Sequence, residues 1–283
     1  TLVDDMIKGP VSFNHDQLDD LILLRSDGSP TYNLSVVVDD AEMRITHVVR
    51  GDDHLNNTPK QIQLYLAMDY PLPKFGHVPL ILGQDKQRLS KRHGATNVMA
   101  YRDMGYLPEA MVNFLVKLGW GHGDEELFSL EQLIQMFSIE GIGKSAGVYN
   151  VEKLEWVNSQ KLKERSSAEL CRLLIELLRI NPDGRFNTFA TSAIAKLSSE
   201  RPDDQAALDL LLTSLKPRAK TLLELIDGGT FCWKDEVTFD PKAVEKFLTA
   251  EAKPLLTAVA EGLSALSVPW MLEAVDAAIR TVA

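Results

Sequence analysis

The sequence predicts a mixed α/β segment over residues 1 to about 95, followed by an all-α segment. Three observations carry this. Short β-branched runs alternate with helix-spaced stretches only before about residue 95. Beyond it, apolar positions recur every three or four residues in successive blocks separated by Pro and Gly breakers. The 283 residues, 45% hydrophobic and 25% charged, are enough for about two domains with their own cores.

The elements follow in order. Leu21-Ile22-Leu23-Leu24 has the pattern of a buried strand, and Arg25-Ser26-Asp27-Gly28-Ser29-Pro30 supplies turn chemistry after it. Pro30-Thr31 opens a helix over 32–43, with Leu34, Val37, Val38 and Met43 on its apolar stripe. Ile45-Thr46-His47-Val48-Val49 reads as a strand that ends at Arg50-Gly51. Thr58 is the expected N-cap and Pro59 the expected first position of the next helix. Val78-Pro79-Leu80-Ile81-Leu82 reads as a further strand. The alternation of strand and helix is half of a parallel sheet. Helices are expected at Pro108–Leu118, Ser129–Met136, Val151–Leu162, Ser167–Leu178, Asp203–Leu215 and Thr221–Ile226. Pro241–Leu248, Pro254–Leu266 and Val268–Ile279 complete the set, and Thr230–Trp233 is the one short strand expected late in the chain.

The net charge of −10 is not the footprint of a general polyanion binder. It is unevenly spread. Lys86, Arg88, Lys91 and Arg92 crowd into one turn-rich stretch with no acid among Arg88-Leu89-Ser90-Lys91-Arg92. Cys171 and Cys232 have no C-x-x-C spacing and read as small buried hydrophobes. No run approaches the roughly 18 consecutive apolar residues of a membrane helix, and no histidine spacing fits a metal site.

A lysine held in a mobile basic loop after a strand can offset charge that builds on a triphosphate as its bond breaks. Ser90 and nearby backbone N–H groups would add donors. On these residues alone, a solvated basic loop explains the stretch equally well.

The order of several blocks resembles the glutamyl-tRNA synthetases, a family of class I aminoacyl-tRNA synthetases. The blocks are Arg25 to Asn33, Val38-Asp39-Asp40, Thr46 to His54, Asn57-Thr58-Pro59, His77 to Ile81, Leu89 to Arg92 and Gly105 to Ala110. The helical remainder resembles the family more loosely. The resemblance implies the C-terminal half of a Rossmann-like catalytic domain over 1–95. A helical stem-contact region and the start of an anticodon-binding domain would follow over 96–200, with more of that domain over 201–283. It also implies glutamate, ATP with Mg2+, and tRNA(Glu) as substrates, a cytoplasmic enzyme, no protein-bound zinc and no obligate protein partner.

Residue by residue, Arg88, Leu89, Ser90, Lys91 and Arg92 resemble the KMSKS signature, with Lys91 the catalytic lysine on the ATP phosphates. Arg88 in place of lysine keeps charge and changes donor geometry. The resemblance puts Arg50 on the side-chain carboxylate of glutamate, a planar fork on a matching anion. Its alternative is an ion pair with Asp52 or Asp53. Tyr32 would offer its hydroxyl to glutamate, or stand as a core aromatic with a wet tip. Asp53 and His54 would line the ATP site, or cap a loop. Lys216-Pro217-Arg218 resembles a segment that presents an arginine, here Arg218, to the anticodon, where a guanidinium reads an unstacked base; a helix-starting cation is the alternative. The helical second half and Arg50 together favour the glutamyl over the glutaminyl branch.

The HIGH signature of class I synthetases does not occur in the sequence. In the family it precedes the region matched here, so the resemblance implies a piece truncated at both ends and inactive alone. A sheet without its first strands would expose an edge. The rival is a non-catalytic tRNA-binding module derived from a synthetase, and a helical interaction scaffold would account for the second half only.

Overall fold

The computed structural model describes residues 1–90, 97–180, 184, 186, 188–234, 239–266 and 272–282. Two compact units divide the chain, Thr1–Trp233 and Lys234–Ala283.

The first unit opens with strands β1 (Leu2–Asp5) and β2 (Gly9–Ser12), paired antiparallel. Alternation explains β1: Val3 and Asp5 point inward and are buried, while Leu2 and Asp4 point out. The two acids disguise that alternation in the sequence. No strand forms at 21–24. Ile22 and Leu24 are 72% and 57% exposed, and the stretch makes only an isolated bridge from Leu24 to Pro30. An apolar run with no sheet edge to pair with stays a loop.

Helix α1 (Tyr32–Glu42) follows, then β3 (His47–Gly51), helix α2 (Thr58–Ala67) and β4 (Lys74–Val78). Strand order is β2-β1-β4-β3, with β1 and β3 both parallel to β4. The β3–α2–β4 unit is thus the parallel alternation expected from the sequence. The last strand lies at 74–78, four residues ahead of its expected place. Pro79 cannot donate to a ladder and stands just past its end. Val37 of α1, Ile62 and Tyr65 of α2, Val3 and Phe75 form the core on one face of the sheet.

Thr58 is not the N-cap of α2 but its first residue, one position on from Asn57. Its hydroxyl is fully buried and used elsewhere.

Beyond the sheet the unit is helical: α3 (Val98–Asp103), α4 (Pro108–Lys117), α5 (Leu130–Met136), α6 (Val151–Glu164) and α7 (Ser167–Ile180). Then come α8 (Ala190–Leu197), α9 (Pro202–Leu215), α10 (Leu222–Gly228) and α11 (Thr230–Trp233). Ser129 and Gln132 close a reciprocal capping box on α5. Thr230–Trp233, expected as a strand, is a helical turn: Trp233 is buried and its indole N–H donates to the Ile226 carbonyl at 2.9 Å. Leu170, Leu174, Leu177 and Leu178 of α7 centre the largest core, at the 3.6-residue spacing of one helix face. Cys171 and Cys232 are free and pack half-buried against it.

Asn158 ties three elements together. Its side-chain carbonyl accepts from the Leu107 N–H at 2.8 Å, and its amide donates to the Lys220 carbonyl at 2.5 Å. Gly105 holds the same corner. Its φ of +82° is open to glycine, and a Cβ there would meet the Leu223 nitrogen at 2.8 Å.

The second unit holds α12 (Pro241–Phe247), α13 (Ala252–Ser264) and α14 (Leu272–Val282). Neither α12 nor α13 has a fully buried residue. Helices α13 and α14 pack on each other. No helix among the described residues is long and apolar enough to cross a membrane.

Candidate active site

Register builds the site. Arg50 on β3 pairs across the ladder with His77 on β4, so both side chains project from the same face, towards α2. The first turn of α2 brings Thr58 to this point, and the next turn brings Gln61.

Arg50 is anchored by neutral acceptors. Its Nε–H donates to His77 Nε2 at 3.2 Å, and its Nη2 donates to Thr58 Oγ1 at 2.9 Å and to Gln61 Oε1 at 2.7 Å. Gln61 in turn donates to Asn33 Oδ1 at 3.0 Å. Asp52 and Asp53 do not pair with Arg50. Asp52 takes Lys8 at 2.8 Å and Asp53 takes Arg88 at 3.1 Å. Asp40 on α1 lies within the field of Arg50. Burial pushes the Asp40 carboxyl up and the guanidinium pulls it back, without an ion pair. No carboxylate among the described residues forms an ion pair with the guanidinium; Asp40 acts on it only through its field. Among the described residues the two hydrogens on Nη1 have no acceptor, so that end of the fork is the one open to an anion.

His77 and Asp5 are both buried. His77 Nδ1 lies 2.5 Å from Asp5 Oδ2, and Asp5 Oδ1 accepts the backbone N–H groups of Ile7, Lys8 and His77. Burial alone would push the Asp5 carboxyl up. These donors outweigh it and hold the group below the usual carboxylate range. Burial pushes the His77 imidazole down, helped by the Arg50 and Lys8 charges and opposed by Asp5. The pair is carboxylate and neutral imidazole. Because Arg50 donates to Nε2, the imidazole proton sits on Nδ1 and points at Asp5.

Tyr32, at the start of α1, is 49% exposed rather than a core aromatic, and its hydroxyl lies 3.2 Å from His54 Nδ1. The His54 carbonyl reaches the Thr58 hydroxyl at 3.2 Å. Tyr32, Asn33, Arg50, His54, Thr58 and Gln61 thus form one connected cluster at the carboxyl end of a parallel strand, where open α/β sheets bind ligands.

The basic stretch divides. Arg88 is exposed and reaches Asp53. Leu89 packs half-buried against the Tyr101–Tyr106 core, with its N–H on the Ile81 carbonyl at 2.9 Å. Ser90 is half-buried. Lys91 and Arg92 lie outside the described residues. Arg218 lies in the exposed turn between α9 and α10, with its backbone N–H on the Leu215 carbonyl. Sequence reasoning missed His77, Asp5, Gln61 and Asn33, and read Thr58 only as a helix cap. The strand expected at 78–82 begins one residue after His77, so the sequence pattern does not signal its burial.

The family described as tRNA synthetases class I (E and Q), catalytic domain, matches residues 1–156, more than half of the chain. The chain belongs to that family. An anticodon binding domain matches residues 160–283 of this class I synthetase chain. A glutamate–tRNA ligase of Geobacter sulfurreducens is 52% identical over 268 residues, which are 94% of this chain and 53% of that protein. One from Syntrophotalea carbinolica is 46% identical over 282 residues, or 57% of its own length. The crystal structure of a glutamate tRNA ligase from Elizabethkingia meningosepticum in complex with its amino acid superposes with a TM-score of 0.77 at 30% identity, over all of this chain and 56% of that one. The chain spans about half the length of the curated relatives it matches.

Proposed function

We propose that this class I synthetase chain takes part in joining glutamate to tRNA(Glu) at the expense of ATP, in the cytoplasm. Residues 1–95 serve the catalytic step, 96–200 contact the tRNA stem and open the anticodon-binding region, and 201–283 continue it. The observation that carries this reading is the Arg50 guanidinium, held by three neutral acceptors and, among the described residues, with no paired carboxylate and no acceptor on Nη1.

In this reading Arg50 Nη1 donates to the side-chain carboxylate of glutamate. Glutamine lacks the charge to answer it, and a half-buried arginine left unanswered is costly. Tyr32 adds its hydroxyl. Asp53 and His54 border the nucleotide and Arg88 faces its phosphates. Lys91 offsets charge on the departing pyrophosphate as the α-carboxylate of glutamate attacks the α-phosphate. Mg2+ enters with ATP as part of the substrate. Arg218 reads the anticodon loop.

The test is glutamate-dependent ATP–pyrophosphate exchange and tRNA glutamylation by the protein expressed from its complete reading frame. Arg50→Leu is expected to raise the glutamate KM at least about tenfold, the size of one lost hydrogen bond to a charged group. The ATP KM should stay put. An unchanged glutamate KM would refute the assignment of Arg50. No glutamylation with tRNA binding retained would favour the non-catalytic module.

A further inference from the structure

We infer that His77 is a positioning residue for glutamate recognition: its Nε2 lone pair, fixed by Asp5 at the other ring nitrogen, sets the plane of the Arg50 guanidinium. This rests on the reading that Arg50 binds glutamate, and goes one shell deeper.

The geometry is specific. A guanidinium is planar, so its orientation is set once two of its nitrogens are held. Thr58 and Gln61 both take Nη2, at one corner of the fork. His77 takes Nε, the second nitrogen, from the neighbouring strand. With both held, Nη1 has one direction left. An acceptor at Nε2 requires the Nδ1–H tautomer, and Asp5 enforces it: a carboxylate at 2.5 Å can only accept. Asp5 is itself immobilised by three backbone N–H donors. A chain of fixed groups therefore runs from β1 through β4 to β3.

The arrangement is pH-sensitive in one direction. The charged groups facing His77 are Asp5 from β1, Lys8 from the turn after it, and Arg50 from β3; α2 presents Thr58, which is uncharged. Protonation would place a proton on Nε2, with Thr58 Oγ1 at 3.0 Å to accept it, and would remove the one acceptor that the described residues offer the Arg50 Nε–H. The His77 value is lowered from 6.5, so the change falls below that pH.

Three variants of the protein from its complete reading frame test this, with glutamate and ATP KM read separately by pyrophosphate exchange between about pH 5 and 8. His77→Leu removes the acceptor and is expected to raise the glutamate KM about tenfold or more. His77→Gln offers Oε1 at the Nε2 position and should restore most of that loss. It should also flatten the rise in glutamate KM towards acid that is expected of the wild type. Asp5→Asn presents an amide donor to Nδ1, turns the ring to its Nε2–H form and should mimic His77→Leu. Long-range 15N spectra should show a protonated Nδ1 and a bare Nε2 in the wild type and the reverse in Asp5→Asn. These spectra stand even if His77→Leu does not fold. A wild-type Nε2–H tautomer would overturn the inference. So would a glutamate KM unmoved in Asp5→Asn and His77→Leu alike at all pH, while Arg50→Leu raises it. If Arg50→Leu itself leaves the glutamate KM unmoved, the reading of Arg50 fails instead.

Discussion

Asn158→Leu should destabilise the first unit by about 2–4 kcal/mol with little change in side-chain volume. Leu107 is 1% exposed, so its N–H would lose its only acceptor with no water to replace it. That costs about 1–3 kcal/mol. The Lys220 carbonyl is only partly buried and recovers water, so its lost bond is worth about 0.5–1.5 kcal/mol net. Urea unfolding followed by tryptophan fluorescence reads the effect, because three of the four tryptophans, Trp120, Trp156 and Trp233, lie in the first unit. With a slope of about 3 kcal/mol per molar urea, the midpoint should fall by about 1 M while the slope stays constant. The three joined segments make this more than a stability measurement: Lys220 stands two residues from Arg218, so the same change should loosen the turn that presents it. A shift worth less than about 0.5 kcal/mol would show that the two backbone groups find other partners, and would refute the reasoning.

Lys91→Ala is expected to depress pyrophosphate exchange by at least about a hundredfold, the size typical of one electrostatic donor aimed at the transition state. Its urea midpoint should not move; undiminished exchange would remove Lys91 from the chemistry. Gly105→Ala should cost at least about 1–2 kcal/mol, because the left-handed backbone there disfavours any side chain and the Leu222 and Leu223 nitrogens cannot yield to a Cβ. A melting temperature equal to wild type would contradict it. The Asp5 carboxyl is held below its ordinary 3.8 when folded, so its contribution to stability is complete above 3.8 and is lost as pH falls through the lowered value. The stability gap between wild type and Asp5→Asn should therefore close below about pH 3.8, as followed by acid titration of the far-UV signal.

Most helices were legible because their signals are local. Ser129 and Gln132 announce α5, Pro108 and Pro202 stand in the first turns of α4 and α9, and the leucine spacing of α7 is the core itself. The sheet was harder, since a strand is defined by its neighbours. Leu21–Leu24 is more apolar than Leu2–Asp5, yet only the latter has β4 beside it. Arg50 could be found from its place after a β-branched run. Its partners could not, because Asp5 and His77 are 72 residues apart and meet only through register. Thr58 shows the same limit: its sequence context reads as a helix cap, and only the fold reveals that its hydroxyl serves Arg50.

The outer position of β3 in the order β2-β1-β4-β3 carries a further consequence. Parallel strands ordinarily lie inside a sheet with both faces covered, whereas β3 is an edge and Val49 on it is 46% exposed. Among the described residues β3 has a strand partner on one side only, and a short β-branched run so placed is a template for another chain. Concentrated samples of this polypeptide should therefore self-associate edge to edge. A lysine at Val49 should suppress that association and leave Arg50, on the opposite face, where it is.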